Sequence, residues 1–312
     1  MLVLVALIWG ASFVFIKLAV QSPEAPYNFP PVTLVGIRLG GAALVLYGVL
    51  KQQGKSFPWS QWSSVALLGL LNAALPYFLY SWSGQLIDSN LASIYNATTP
   101  LFTAILAWFF VREERLSALR SFGVVLGFMG IVYLFSENLG GGQSVGKRHM
   151  LGEIACVGAA FCYGLSNTWA RRRLKNLDAL QLATGQMMFG ALWTVPAILI
   201  WEEPWRTLAP SASAVGALTT LSLLGTAVAM LLYFQLMTQI GATRTSQVTY
   251  LLPITGLLWS RVLGEHITSR IIGAMVIVMI GVLIVNGGLE RLLGRKPMVA
   301  SASSTAGSKH IS

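Results

Sequence analysis

Ten runs of apolar residues organise this chain, at approximately 2–20, 32–50, 63–84, 91–111, 120–136, 151–170, 179–201, 213–238, 245–263 and 269–288. Nothing else in the sequence restricts the fold as much, because each run approaches the ~20 residues that a helix needs to cross a bilayer. In hydrocarbon every backbone polar group must be paired within the protein, so a spanning segment is a helix or part of a closed barrel. Long continuous runs, without strict alternation, predict helices. Only 10% of the 312 residues are charged and 55% are hydrophobic, against roughly 25% charged in a soluble domain. The expectation is an all-α membrane protein with ten transmembrane helices.

The formal charge of +10 would suit a nucleic-acid binder, but its distribution says otherwise. With the N-terminus placed in the cytoplasm, the cytoplasmic loops and tail hold Lys51, Lys55, Arg112, Arg115, Arg120, Arg171, Arg172, Arg173, Lys175, Arg244, Arg291, Arg295, Lys296 and Lys309. The opposite side holds only Lys147, Arg148, Arg206, Arg261 and Arg270. Positive charge collects in cytoplasmic loops, so the sequence predicts a multi-pass inner (plasma) membrane protein with both termini cytoplasmic and no nucleic-acid partner. Segment 2–20 lacks the basic start and cleavage site of a signal peptide and is expected to stay as the first span. Cys156 and Cys162 share one predicted helix and are not expected to bond. Residues 289–312, ending in ASASSTAGS and a few more polar residues, are expected to be a disordered cytoplasmic tail.

Two apolar segments carry an internal proline, in NATTPLFTAILAWFFVREE (96–114) and TYLLPITGLLWSRVLGE (249–265). They belong to a longer echo. At an offset of 153, residues 68–100 overlie 221–253, matching Tyr80 with Tyr233, Ser93 with Ser246 and Pro100 with Pro253. At 154, WGASFVFIK (9–17) overlies YGLSNTWAR (163–171); after a two-residue shift Glu114 overlies Glu265 and Gly130 overlies Gly281. Five helices per copy is an odd number, so the second copy must cross the membrane in the opposite sense. The predicted organisation is a first five-helix repeat over 1–136, a connecting loop over 137–150 and a second repeat over 151–288. Inverted repeats with interrupted helices typify secondary transporters, whose substrate site lies near mid-depth between the halves.

These features resemble the EamA-type permeases of the drug/metabolite transporter superfamily. The resemblance covers roughly residues 1–290 and rests on IWGASFVFIK, on PLFTAILAWFFVREE with its weaker copy PITGLLWSRVLGE, and on the glycine-spaced helix after each. It implies a ten-helix permease or exporter of small metabolites, with segments three, four, eight and nine lining a cavity and segments one, two, six and seven moving around it. The second copy departs from the pattern by a shorter Pro253–Glu265 spacing.

The residues themselves suggest where such a cavity would lie. Pro100 and Pro253 would leave the carbonyls of Asn96 and Thr249 unpaired, and Pro76 that of Asn72. Ala92, Asn96, Thr99 and Thr103 share one helix face, as do Thr245, Thr249, Leu252 and Gly256. Those faces either line a polar pathway or pack helices through hydrogen bonds. Trp9, Tyr77, Tyr80, Tyr95, Tyr163, Trp169, Tyr233 and Tyr250 fall inside helices and could stack on an organic substrate, whereas Trp59, Trp62, Trp201 and Trp205 read as an interfacial belt. Lys17 and Arg38 are the basic residues within spans, and such charges mark functional sites; Lys17 also lies close enough to its helix end to snorkel. Glu113, Glu114 and Glu265 close their helices and are read as gates or caps with Arg112, Arg115, Arg261 or Arg270, or as solvated ends.

No acid is expected at a helix centre. A lipophilic-cation substrate is therefore disfavoured; a neutral, zwitterionic or anionic metabolite such as an amino acid fits better. The three histidines fall in loops or the tail, and no nucleophile–base pair or ligand cluster emerges. No catalysis, cofactor or metal is expected; a non-transporting or enzymatic polytopic protein is the alternative. The pairs Gly36/Gly40 and Gly123/Gly127 allow close helix packing, with a homodimer contact as their other use.

Overall fold

The structure is a computed structural model that describes residues 1–22, 24–111, 116–139, 144–174, 177–206 and 208–289. Those residues are helical almost throughout and form no strand beyond two isolated bridges, Val20–Phe29 and Ser22–Ala25. Helices run over α1 Leu2–Ala19, α2 Pro31–Gln52, α3 Trp59–Ser83, α4 Ser89–Asn96, α5 Thr99–Phe110 and α6 Ala118–Leu139. They continue as α7 Ser144–Arg173, α8 Ala179–Glu202, α9 Ala212–Ile240, α10 Ala242–Thr245, α11 Val248–Val262 and α12 Ser269–Val285. Among the described residues, six stretches are long and apolar enough to cross a membrane by length and composition: α1, α2, α3, Ala118–Ser136 of α6, α8 and α9.

The remaining apolar runs fall short for visible reasons. Run 91–111 is divided by Ala97 and Thr98 into α4 and α5, and run 245–263 by Ser246 and Gln247 into α10 and α11. Helix α12 has 17 residues, and run 151–170 lies inside the 30-residue α7, whose two ends are charged. Pro100 does not kink a helix, as its position suggested. It stands in the first turn of α5, where a missing N–H costs nothing. The carbonyl of Asn96 is not left open either, because the Thr99 hydroxyl donates to it at 2.8 Å. Pro253, by contrast, is buried inside α11.

Two helices share a departure that proline does not explain. A wide π-turn covers Leu70–Ala74 in α3 and Leu223–Val228 in α9, and a third, Ile198–Glu202, ends α8 just after Pro196. Pro76 follows the first, but Ala229 holds the matching place after the second. Such single wide turns recur at functional positions in helices.

The bundle packs α6 on α12, α2 on α8, α1 on α11, and both α3 and α5 on α7. Helix α4 lies against α11, and α9 lies against α1 and α2. Backbones meet closely between glycines: a side-chain carbon on Gly281 would fall 2.6 Å from the backbone oxygen of Gly123 and 2.6 Å from the Gly127 nitrogen. The Gly123/Gly127 pair therefore joins α6 to α12 within this chain. Gly36 packs against Thr194 and Ile198 of α8, while Gly40 faces open space.

Candidate substrate site

The π-turns and the α4–α5 break bring polar groups from both halves of the chain to one level. Asn72, in the α3 π-turn, donates to Gln186 of α8 at 2.7 Å and accepts from Ser166 of α7 at 2.7 Å. Gln186 in turn reaches the Met230 sulfur at 3.7 Å. Thr226, in the α9 π-turn, accepts from Nε of Arg38 at 2.9 Å, and Ser222 donates to the Arg38 carbonyl. The guanidinium lies 4.1 Å from the centre of the Tyr77 ring, a cation–π contact. Arg38 is 5% exposed, and among the described residues no carboxylate pairs with it.

Beside this layer stand the aromatics. Tyr80 donates to Asn96 Oδ1 at 3.0 Å, stacks with Tyr163 at 6.3 Å between ring centres and meets the edge of Phe13 at 5.4 Å. Trp9 and Tyr233 form a second pair at 5.1 Å. The two pairs are the same pair twice, since Trp9 overlies Tyr163 and Tyr80 overlies Tyr233 in the sequence echo. The close approaches repeat as well. A side-chain carbon on Gly10 would collide with Thr255 at 2.3 Å, and one on Gly164 with Phe102 at 2.8 Å; positions 10 and 164, and 102 and 255, are echo mates. Ser12 approaches Gly225 as Ser166 approaches Asn72.

Other candidates go elsewhere. The Thr99 and Thr103 hydroxyls serve backbone carbonyls one turn back, as does that of Thr249. Tyr250 lines an apolar cavity of about 580 Å³ with Leu2, Gln247, Leu251, Val276, Met279, Ile280 and Leu283, away from the Arg38–Asn72 layer. Tyr95 is fully buried and donates to Glu153 at 3.1 Å. Lys17 is ion-paired at one end of the bundle, with Asp88 and with Glu265 at 3.0 Å. Neither the cavity role nor simple snorkelling describes it.

Glu265 is 8% exposed, and its partners are not the arginines that sequence proximity suggested. Its oxygens accept from the Ser89 and Asn90 amides and the Ser89 hydroxyl at 2.9–3.2 Å, capping the start of α4. Glu202 repeats the device on α2, accepting from the Val32 and Thr33 amides and the Thr33 hydroxyl at 2.6–2.8 Å. Carboxylates suit helix starts because free N–H groups and the helix dipole both favour negative charge there. Glu113 and Glu114 lie outside the described residues.

Sequence reasoning missed Gln186, Thr226, Asp88, Glu202 and Glu153. The echo contained a usable signal for one of them, since Thr226 stands next to the echo position of Asn72. Glu153 corrects a further expectation. It is an acid nine residues into α7 and 1% exposed, whereas the shorter predicted helix had placed it at the boundary.

The EamA-like transporter family profile matches residues 1–136 and again residues 150–287. The chain belongs to the EamA-like transporter family. Among its relatives is YoaV of Bacillus subtilis, described as an uncharacterized transporter, 26% identical over 281 residues, which cover 88% of this chain and 91% of that protein. YedA of Escherichia coli K12, described as an uncharacterized inner membrane transporter, is 25% identical over 306 residues, covering 97% and 94%. A solved crystal structure, 18% identical, superposes with a TM-score of 0.64 over 93% of this chain and 96% of that one, a likeness of fold. With its apolar helices, this EamA-like chain is a multi-pass membrane protein of a transporter family.

Proposed function

We propose that this chain is a ten-span secondary transporter of the inner membrane, with no catalytic activity, that exports small carboxylate-bearing metabolites such as amino acids by alternating access. The observation that carries the substrate class is Arg38. A guanidinium held in a bilayer-embedded bundle, with no carboxylate paired to it among the described residues, is costly, and a substrate carboxylate would offset that cost with paired hydrogen bonds. Asn72, Gln186 and Ser166, a few side chains away, offer neutral donors and acceptors for a polar or ammonium-bearing remainder. Tyr80, Tyr163, Trp9 and Tyr233 supply flat walls.

The repeated contacts support two inverted five-helix units over 1–136 and 151–288. Each aromatic pair and each glycine collision joins one residue of the first unit to one of the second, and the π-turns of α3 and α9 fall one in each. Helix α11 ends beside the start of α4 through Glu265, so the equivalent helices α4–α5 and α11 run antiparallel. Both termini are assigned to the cytoplasm on the charge distribution.

Purified protein in liposomes loaded with the twenty amino acids and a set of neutral sugars tests this reading, with release followed by mass spectrometry. Amino acids should leave and sugars should stay. Arg38→Ala should weaken half-saturation by about tenfold to a hundredfold, the equivalent of losing one charged hydrogen-bond pair of ~1.5–3 kcal/mol. Arg38→Lys should fall between. Sugar release without amino-acid release, or unchanged kinetics in Arg38→Ala, would overturn the assignment.

A further inference from the structure

The sequence offered no acid for coupling transport to protons, but among the described residues the folded chain buries two, and Glu153 lies apart from the capping Glu265. Helix α7 begins at Ser144, so Glu153 lies nine residues along it, roughly 14 Å from the helix start. The neighbouring Gly152 is wedged against the corner between α3 and α4, where a side-chain carbon would meet Ile87 at 2.8 Å and Leu86 at 2.9 Å. The Tyr95 phenol, from α4, donates to Glu153 Oε1 at 3.1 Å. One turn further along α7, the Cys156 thiol donates to Ser83 at 3.2 Å, and Ser83 donates to the Tyr80 carbonyl.

The position of Tyr95 gives this contact a consequence. Tyr95 and Asn96 are the last two residues of α4, immediately before the break at Ala97 and Thr98. Tyr95 reaches Glu153 on one side, while Asn96 accepts from Tyr80 in the aromatic chamber on the other. Thr98 donates back to the Tyr95 carbonyl at 2.6 Å. Whatever holds the Tyr95 phenol therefore also positions the Asn96 side chain and the hinge that follows.

We propose that Glu153 is the proton-binding carboxylate of this transporter, and that its protonation state sets the position of the α4–α5 hinge. The proposal rests on the transport reading above. In the charged state the carboxylate accepts a charge-assisted hydrogen bond from Tyr95 and ties α4 to α7. A proton from water adds to the carboxylate, its charge falls from −1 to 0, and the new acid O–H becomes a donor. The bond from Tyr95 loses its charged acceptor, α4 is released from α7, and Asn96 shifts with it. Loss of the proton to water on the other side restores the tie.

Titratable side chains near Glu153 include Tyr95 from α4 and Cys156 on α7, and His149 lies one turn earlier on the same helix. Helix α3 presents the neutral Ser83, and α6 presents Phe135, whose ring lies 5.7 Å from that of Tyr95. Asp88 and Glu265 belong to the separate Lys17 cluster at the bundle end.

Two measurements on the full chain test the proposal. Infrared difference spectra of the protein in nanodiscs, recorded as pH is lowered, should show a buried carboxylic-acid C=O band that Glu153→Gln abolishes. Tyr95→Phe should move its midpoint to higher pH, because it removes a donor to the charged form. In liposomes loaded with the twenty amino acids, an imposed proton gradient should change wild-type release several-fold. Release by Glu153→Gln should be the same with and without the gradient, and Glu153→Asp should retain part of the response. A Glu153→Gln protein that responds to the gradient like wild type overturns the proposal, as does a wild-type spectrum with no Glu153-dependent band. Should no amino acid move, the substrate reading fails by itself and the infrared titration decides the fate of Glu153.

Discussion

Lys17 and Arg38 carry the same charge inside spans of the same half, yet their surroundings give them different work. Lys17 meets two carboxylates at the end of the bundle, where its side chain remains 32% exposed. Arg38 meets a hydroxyl and an aromatic face, and no acid among the described residues. Sequence position alone ranked both as charges in hydrocarbon; what separates them is the identity of neighbours 39 or more residues away. The Lys17 cluster also separates two kinds of ionic contact. Glu265 caps three donors at the start of α4 and is buried, so Glu265→Ala should cost about 1–3 kcal/mol through those unsatisfied groups. Lys17→Ala removes a half-exposed partner and should cost no more than ~1 kcal/mol, since Glu265 keeps its three hydrogen bonds. Thermal unfolding in detergent should rank the two variants in that order. The reverse order would mean that the ion pair, and not the helix cap, holds this end.

At the scale of elements, the two prolines that stand out in the sequence do different jobs. Pro100 opens α5, while the break before it is held by the Thr98 and Thr99 hydroxyls on the carbonyls of Tyr95 and Asn96. Pro253 is inside α11 and removes an interior donor. Pro100→Ala should therefore change stability by less than ~1 kcal/mol and leave the break in place, and Pro253→Ala should produce the larger change of the two. Denaturation in detergent micelles measures both; equal shifts would return Pro100 to the role of helix breaker. The existence of the interrupted helices was legible because proline and polar residues are local signals. The π-turns were not. That in α9 has no proline beside it, and a wide turn is set by what the helix packs on, here Arg38 at Thr226 and Ser222. The same holds for Glu153, whose burial depends on α7 starting seven residues before the apolar run does.

At the scale of the whole molecule, the echo that was legible is the part built from similar residues, Trp9 with Tyr163 and Tyr80 with Tyr233. The central layer was illegible because the copies use different chemistry at matching places: Arg38 bonds Thr226 in one, Gln186 bonds Asn72 in the other. On the proposed reading, that asymmetry would put charge recognition on one side of the substrate site. The ends of the bundle differ too. One is closed by the Glu202 and Glu265 caps, the other by the exposed pair Lys55–Asp178 at 2.9 Å. The Lys55 amine lowers the Asp178 carboxyl from its usual value, so this tie is present above the ordinary carboxylate pKa of about 3.9 and is lost as pH falls through the lower folded value. At neutral pH only salt should loosen it. The proposed inversion puts the ends of α5 and α11 at opposite ends of the bundle, and their sides of the membrane can be read in cells. In a protein with Cys162→Ala, whose remaining Cys156 is buried, one added cysteine replacing Ser117, beyond the end of α5, or His266, beyond the end of α11, reports on one end of the bundle or the other. A membrane-impermeant maleimide applied to intact cells should label His266→Cys and spare Ser117→Cys until the membrane is opened, because the basic loops place the first end in the cytoplasm. Labelling of Ser117→Cys alone would keep the inversion and reverse the orientation, exchanging the sides assigned to the carboxylate caps and to Lys55–Asp178. Labelling of both from the same side cannot be reconciled with helices that run in opposite directions, and the two-unit arrangement would fall with it.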